Sequence, residues 1–236
     1  MISIIIPTLN EAGNLPGLLA ALRNEPTQSE IIIVDGGSCD GTVEIALSHG
    51  LCVLQASRGR GSALCKGAGR ARGDILLFLH ADSIFPVGGL QRIDAALSAD
   101  PGLIGGNFRL LFDGGSGFSR WLTGFYAQIR WLGFYYGDSG IFVRRRVYDA
   151  LGGFRPMAVM EDWDFVRRLE RFGRTCCIAE PALITSSRRF EGRQPAEIVY
   201  GWVKLHLLYL LGVSPDRLAE IYRTHAPPAE VTRISS

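Results

Sequence analysis

The chain has 236 residues, of which 47% are apolar and 20% charged; this excludes a disordered polar chain and suits one domain built on one core. Its formal net charge of +2 excludes a nucleic-acid binder driven by bulk charge. The basic residues are lopsided, with 23 arginines against Lys66 and Lys204, a bias that either codon usage or a demand for guanidinium forks on phosphate produces.

In chain order, Ser3–Ile6 is a short apolar run and reads as a first strand, too short and without the basic flank of a signal peptide. Gly13–Asn24 has helical spacing, with Asn14 placed as N-cap and Pro16 in the first turn. Ile31–Asp35 is a second apolar strand, Thr42–Ser48 a helix stopped by Gly50, and Leu51–Gln55 a third strand. Gly61–Arg72 is a helix of small residues stopped by Gly73, and Ile75–Leu79 is a fourth strand, apolar throughout. Continuous apolar strands separated by helices predict a parallel α/β sheet covered on both faces, with all strand C-termini on one edge. Ligands bind at that edge in such sheets.

The second half is less regular. Gly102–Phe112 reads as a strand, Ser116–Phe134 as an aromatic helix or lid, Gly137–Val143 as a short strand and Arg144–Leu151 as a short helix. Trp163–Phe172 is helical, Ile178 lies near the last strand, and Arg193–Leu211 and Ser214–Arg223 are terminal helices. No repeat, linker or low-complexity tract divides the chain, so residues 1–236 are expected to form one domain. Its regular half spans 1–100 and its less regular half 101–236. Five cysteines without a CxxC pair point to reduced thiols and a cytoplasmic protein. The apolar stretch 198–213, interrupted by Lys204 and His206, is too short to span a bilayer. It reads as a helix buried in a core or a dimer contact, or as one lying on the inner face of the membrane.

Three polar clusters follow strands one, two and four. They are Pro7-Thr8-Leu9-Asn10-Glu11, then Asp35-Gly36-Gly37-Ser38-Cys39-Asp40-Gly41-Thr42, then His80-Ala81-Asp82-Ser83. Any one could be a turn, but all three share the ligand edge. There is no GxGxxG after strand one and no Walker lysine, which removes the dinucleotide-binding and P-loop readings.

These clusters, with Gly-Asp-Ser-Gly at 137–140, Gly-Gly-Phe at 152–154 and Met-Glu-Asp-Trp-Asp at 160–164, resemble the family 2 glycosyltransferases of GT-A fold over nearly the whole chain. The His-Ala-Asp variant and the tail Leu-Gly-Val-Ser-Pro-Asp-Arg-Leu at 211–218 resemble a small bacterial branch associated with radical-SAM proteins and arsenosugar biosynthesis. The resemblance implies a nucleotide-diphosphate sugar donor, an acceptor hydroxyl and inversion, with 1–100 as the nucleotide-binding half and 101–236 as the acceptor half and terminal helices. It places Pro7, Thr8, Asn10, Glu11 and Asp35 around base and ribose, with Gly37 and Ser38 allowing close backbone approach to the nucleotide. The metal motif of the family is Asp-x-Asp, and His80 stands at its first position. Asp82 remains a suitable oxygen ligand for Mg²⁺ or Mn²⁺, whereas His80 is a softer group suited to metal, ribose or sugar.

Asp162 is expected as the general base, with Glu161 orienting the acceptor; the alternative is that both acids serve the N-terminus of the following helix. Asp138 falls on the acceptor side. Arg58 and Arg60 precede a helix N-terminus and suit phosphate, or else belong to a solvated loop. Arg188 and Arg189 resemble the basic element that closes over the diphosphate. The aromatic run from Trp121 to Tyr136 either stacks on sugar or packs a core. Two other readings compete. A nucleotidyltransferase making a nucleotide sugar would need a Gly-rich basic phosphate loop, which Pro7–Glu11 is not. A non-catalytic nucleotide or lipid-surface binding module would keep its function in Asp162→Asn.

Overall fold

A computed structural model describes residues 1–56, 59–187, 190 and 194–225. Arg58, Arg188 and Arg189 lie outside the described residues.

The first half alternates β1 (Ile2–Thr8), α1 (Leu15–Arg23), β2 (Ser29–Asp35), α2 (Thr42–Ser48), β3 (Cys52–Gln55), α3 (Arg60–Arg70) and β4 (Ile75–Phe78). It continues through β5 (Ser83–Ile84) and α4 (Gly89–Ala99) to β6 (Leu103–Phe112) and α5 (Gly117–Trp131). Next come a short 3₁₀ turn at Gly137–Ser139, β7 (Ile141–Arg144), α6 (Arg145–Ala150), α7 (Glu161–Phe172), β8 (Arg174–Thr185), α8 (Pro195–Leu210) and α9 (Pro215–His225).

The described strands form one sheet in the order β3-β2-β1-β4-β7-β6-β8-β5. β3, β2, β1 and β4 run parallel, so the C-terminal ends of β1, β2 and β4 lie on one edge as expected. The sheet is mixed beyond that point: β7 pairs antiparallel with β4 and with β6, and β5 pairs antiparallel with β8. β6 and β8 are parallel.

Apolar residues on both faces of β1 explain why it reads as an unbroken run. Ile2, Ile4 and Ile6 enter one core with Leu15, Leu18 and Leu19 of α1 and Leu90 and Ile93 of α4. Ile5 points to the other face, with Leu64 of α3 and Phe165, Val166 and Leu169 of α7. Strand side chains alternate faces, so a strand covered on both sides is apolar at every position. α3 sits close on its face because it is made of small residues: a Cβ at Gly67 would lie 2.4 Å from Ile5 Cγ2 and 2.9 Å from Val34 Cγ2.

Several local readings change. Residues 137–139 are not strand but a 3₁₀ turn, closed by Gly140 at φ +67, and the strand begins only at Ile141. The helix read as Trp163–Phe172 begins at Glu161, because Met160 adopts φ +66 and reverses the chain just before it. Asn14 occupies the N-cap position of α1 without a side-chain cap; its amide donates to Glu11 Oε2 instead (2.6 Å). The aromatic run divides: Phe125, Tyr126 and Tyr136 join Leu122 in a third core with Leu110, Phe112, Phe190 and Ile198, and Tyr135 enters the second. Trp121 and Trp131 remain exposed. No described helix is long and apolar enough to cross a membrane.

Candidate active site

The ligand edge is built by two loops laced together. Thr8 and Asp35 are register partners at the ends of β1 and β2, and Thr8 Oγ1 donates to Asp35 Oδ1 (3.1 Å). The other carboxylate oxygen accepts from the amides of Gly37 (2.8 Å) and Ser38 (2.9 Å), and Ser38 Oγ donates back to Oδ1. Asp35 is fully buried. Its carboxylate therefore shapes the turn from within, and Gly37 supplies the φ of +99 that the turn requires.

Asn10, itself at φ +54, reaches across: its amide donates to Ser38 Oγ (2.9 Å) and its Oδ1 accepts from the Cys39 amide (3.0 Å). Glu11 is anchored by its own amide on Thr42 Oγ1 (2.8 Å), and Asp40 accepts from the Ala12 amide (3.1 Å) and from Thr42. Burial works against the Asp40 charge, but the Thr42 hydroxyl and the Ala12 and Thr42 amides outweigh it and hold its pKa below the usual carboxylate value. Asp40 and Thr42 are thus part of the frame, although sequence reasoning assigned them no role; the signal was present in their place within the second cluster.

The second constellation joins elements far apart in sequence. The short turn carrying Gly137 and Asp138, the segment after β4 carrying His80, and the first turns of α3 and α7 meet. Gly137 N donates to Asp162 Oδ2 (2.9 Å), and Trp163 N donates to Oδ1 (2.7 Å). His80 Nε2 and Asp162 Oδ2 would lie 3.0 and 3.3 Å from a Cβ on Gly137, so the absence of a side chain there lets both groups approach. Arg60 Nε pairs with Glu161 Oε1, and its Nη2 lies 3.5 Å from Asp162 Oδ2. Tyr126 OH donates to Asp138 Oδ2 (3.4 Å), and Tyr136 OH lies 3.1 Å from His206 Nε2 of α8. His206 Nδ1 sits 2.7 Å from the Trp202 carbonyl. A carbonyl only accepts, so Nδ1 carries a proton, and in the neutral imidazole Nε2 accepts from Tyr136.

The two adjacent acids are driven apart electrostatically. Burial dominates at Glu161, which is fully enclosed, and with the nearby Asp162 charge it raises the pKa despite Arg60. At Asp162 burial is outweighed by Arg60, the Gly137 and Trp163 amides and His80, so its pKa is lowered and it stays ionised. Such divergence within a pair separates the two roles. Met160 holds the N-cap position of α7 without a side-chain cap, and Asp162 takes up one free first-turn amide, that of Trp163, so serving the helix N-terminus and facing Arg60 go together.

Of the predicted residues, Pro7, Thr8, Asn10, Glu11, Asp35, Gly37 and Ser38 gather on the β1–β2 edge. His80, Asp138, Glu161 and Asp162 gather beside it. Arg60, expected at the diphosphate, sits with the second group. Asp82 stands just before β5 and borders a small cavity of about 170 Å³ with Asn14 and Gly17. Among the described residues no three His, Cys, Asp or Glu side chains form a ready cluster for a metal. Asp82 still offers the hard oxygen that Mg²⁺ or Mn²⁺ prefers, and such ions are commonly held by one or two carboxylates together with substrate phosphates.

A mostly parallel sheet with polar loops at the strand ends and a carboxylate pair beside them is the architecture expected of a GT-A fold. Residues 3–158 match the model of Glycosyl transferase family 2, and the chain belongs to that family. It is 32% identical over 197 residues to the PGL/p-HBAD biosynthesis glycosyltransferase of Mycobacterium tuberculosis, covering 78% of this chain and 72% of that protein. Among solved structures, S. aureus TarS superposes with a TM-score of 0.64 at 16% identity. The match covers 95% of this chain but only 42% of TarS. The mannosyltransferase PcManGT from Pyrobaculum calidifontis, in complex with GDP-Man and Mn2+, gives a TM-score of 0.63 at 20% identity, covering 99% of this chain and 68% of that one. At such identities these structures speak for the fold.

Proposed function

We propose that the protein, as one catalytic unit, transfers a sugar from a nucleoside-diphosphate sugar to an acceptor hydroxyl with inversion, Asp162 acting as general base. The observation that carries this reading is the Asp162 carboxylate, buried yet held as the anion by Gly137 N, Trp163 N and Arg60 next to the β1–β2–β4 edge. Asp162 takes the proton from the acceptor hydroxyl as its oxygen bonds to the anomeric carbon. The bond from that carbon to the diphosphate breaks, and the electron pair leaves on the diphosphate oxygen. Asp35, engaged inside its own turn, acts through the loop it shapes, which presents Asn10, Gly37 and Ser38 to the nucleotide. Asp138, positioned by Tyr126, faces the acceptor.

Asp82 would hold Mg²⁺ or Mn²⁺ together with donor oxygens, and the ion would neutralise charge on the departing diphosphate. The GDP-Man and Mn2+ complex of PcManGT supports a divalent ion in this fold. The His80-Ala81-Asp82 variant and the 211–218 tail support placement in the radical-SAM-associated, arsenosugar-type branch. Tyr200, Val203, Leu207 and Leu210 leave an exposed apolar face on α8, which supports peripheral contact with a membrane or with a second copy; sedimentation with and without vesicles tests it.

The deciding experiment is a thermal-shift panel of UDP-, GDP- and dTDP-sugars with and without Mn²⁺. A matching donor raises the melting temperature by mass action, and Asp162→Asn keeps that shift while losing turnover. No shift with any donor, together with no donor hydrolysis, refutes the reading. Turnover retained in Asp162→Asn removes Asp162 as base.

A further inference from the structure

Arg60 was expected to meet the donor's diphosphate, yet its guanidinium is committed elsewhere. It spans two carboxylates that lie 101 and 102 residues away in sequence. Glu161 binds its Nε and is 0% exposed. The second Glu161 oxygen is buried and has no hydrogen-bond partner among the described residues. A buried carboxylate with one oxygen left unpaired is costly, and the cation that it serves is Arg60. The opposite fork of Arg60 then reaches Asp162.

The backbone is shaped for this contact. Gly59 takes φ +102 ahead of α3. At Gly61 a Cβ would lie 2.5 Å from the Arg155 carbonyl oxygen and 2.8 Å from that of Met157, so glycine lets the first turn of α3 press against the segment leading into α7. On the other side Met160, at φ +66, occupies a conformation unfavourable for a side-chain-bearing residue. It starts α7 with Glu161 and Asp162 both turned inward.

We propose that Arg60 is a positioning residue for the base: anchored on Glu161, its guanidinium fixes the Asp162 carboxylate and keeps it anionic before the acceptor arrives. Glu161 is accordingly the anchor of Arg60. The inference rests on the reading of Asp162 as general base. The other ionisable groups facing Asp162 are His80 after β4 and Tyr136 at the 3₁₀ turn; Asp138 faces Tyr136, and Tyr222 of α9 lies near Arg60.

The test reads Asp162 directly. Protein labelled with ¹³Cγ-aspartate is titrated by NMR, the Asp162 resonance being the one lost in Asp162→Asn. In Arg60→Met the midpoint rises by about one to three units, the range for removing an opposite charge at this distance, and Arg60→Lys falls between. With a donor that turns over, the acidic limb of kcat moves by the same amount while donor KM changes less than about threefold. Arg60→Met leaves Glu161 buried and unpaired, so Arg60→Met/Glu161→Gln is measured beside it; the double variant regains thermal stability and keeps the raised midpoint. A midpoint unmoved in both overturns the proposal. So does a donor KM raised about tenfold or more with an unmoved acidic limb, which would assign Arg60 to the diphosphate. The NMR titration needs no turnover, so a raised midpoint in a protein that processes no donor supports the Arg60–Asp162 coupling while refuting the transferase reading itself.

Discussion

Gly137→Ala probes the proposed base without touching its charge. Gly137 has no side chain, and its amide donates to Asp162 Oδ2 at 2.9 Å. A methyl there would stand 3.0 Å from His80 Nε2, 3.3 Å from Asp162 Oδ2 and 3.6 Å from Asp162 Cβ. These separations force His80 and Asp162 apart by a few tenths of an ångström. A displacement of roughly 0.5 Å carries the amide–carboxylate bond to the edge of useful hydrogen-bond geometry. Losing a hydrogen bond to a charged group costs about 1.5–3 kcal/mol, and a misplacement of about 1 Å at the reacting atoms costs up to roughly a hundredfold in rate. The expected result is a kcat reduced about ten- to a hundredfold with donor KM nearly unchanged and a melting temperature lowered by a few degrees. Steady-state kinetics and a thermal melt read both. Wild-type kcat in a folded Gly137→Ala protein would refute the placement of the base against this turn.

Other substitutions test the frame and the pair. Gly67→Ala drives a methyl into Ile5 and Val34, and overpacking of this kind destabilises by about 1–3 kcal/mol; urea unfolding checks it. Asp35→Asn leaves a poorer acceptor for the Gly37 and Ser38 amides and the Thr8 hydroxyl, so donor affinity falls while the fold persists, as donor titration and circular dichroism together would show. Glu161→Gln has a signed pH dependence. The folded pKa of Glu161 is raised, so its contribution to stability is lost as pH rises from the ordinary carboxylate value through the folded one. The melting temperature of Glu161→Gln relative to wild type should therefore climb across that window, and a flat difference would contradict the burial argument. Asp162 behaves oppositely: its pKa is lowered, so its stabilisation holds above the ordinary value and is lost as pH falls through the folded one.

The legible parts of the sequence are those whose physics is local. β1, β2 and β4 are enclosed on both faces, so they read as unbroken apolar runs, and the three polar clusters at their ends lie together because parallel strands end on one edge. α4 is legible as well: Leu90, Ile93 and Leu97, buried in the fold, stand at helical spacing in the sequence. The two-residue β5 carries no such signal, being defined only by its pairing with Thr185 and Ile184. The antiparallel entry of β7 between β4 and β6 was equally hidden, because strand direction follows from the path of the intervening chain. At 137–140 the motif was visible, but its backbone is set by Gly140 in the left-handed region and by the amide's bond to Asp162, a residue 25 positions away.

Glu161 and Asp162 show why a motif can be legible while its mechanism is not. Acids at the start of a helix satisfy the macrodipole wherever they point, so their position alone supports capping and catalysis equally. The geometry shows what these acids do besides. Asp164, in the same first turn, is the acid used for architecture: it binds Arg155 and Arg168 and accepts from Tyr209 OH, tying α7 to α8. Glu161 and Asp162 instead converge on one arginine from α3, Asp162 while also accepting from the first-turn amide of Trp163. A helix needing only stability would not require Met160 at φ +66, a conformation that costs on the order of 1–2 kcal/mol for a residue other than glycine, to aim two carboxylates inward. The strain and the buried charge fall on the same three residues, and both are explained if Asp162 must be held ionised beside the edge where a donor would bind.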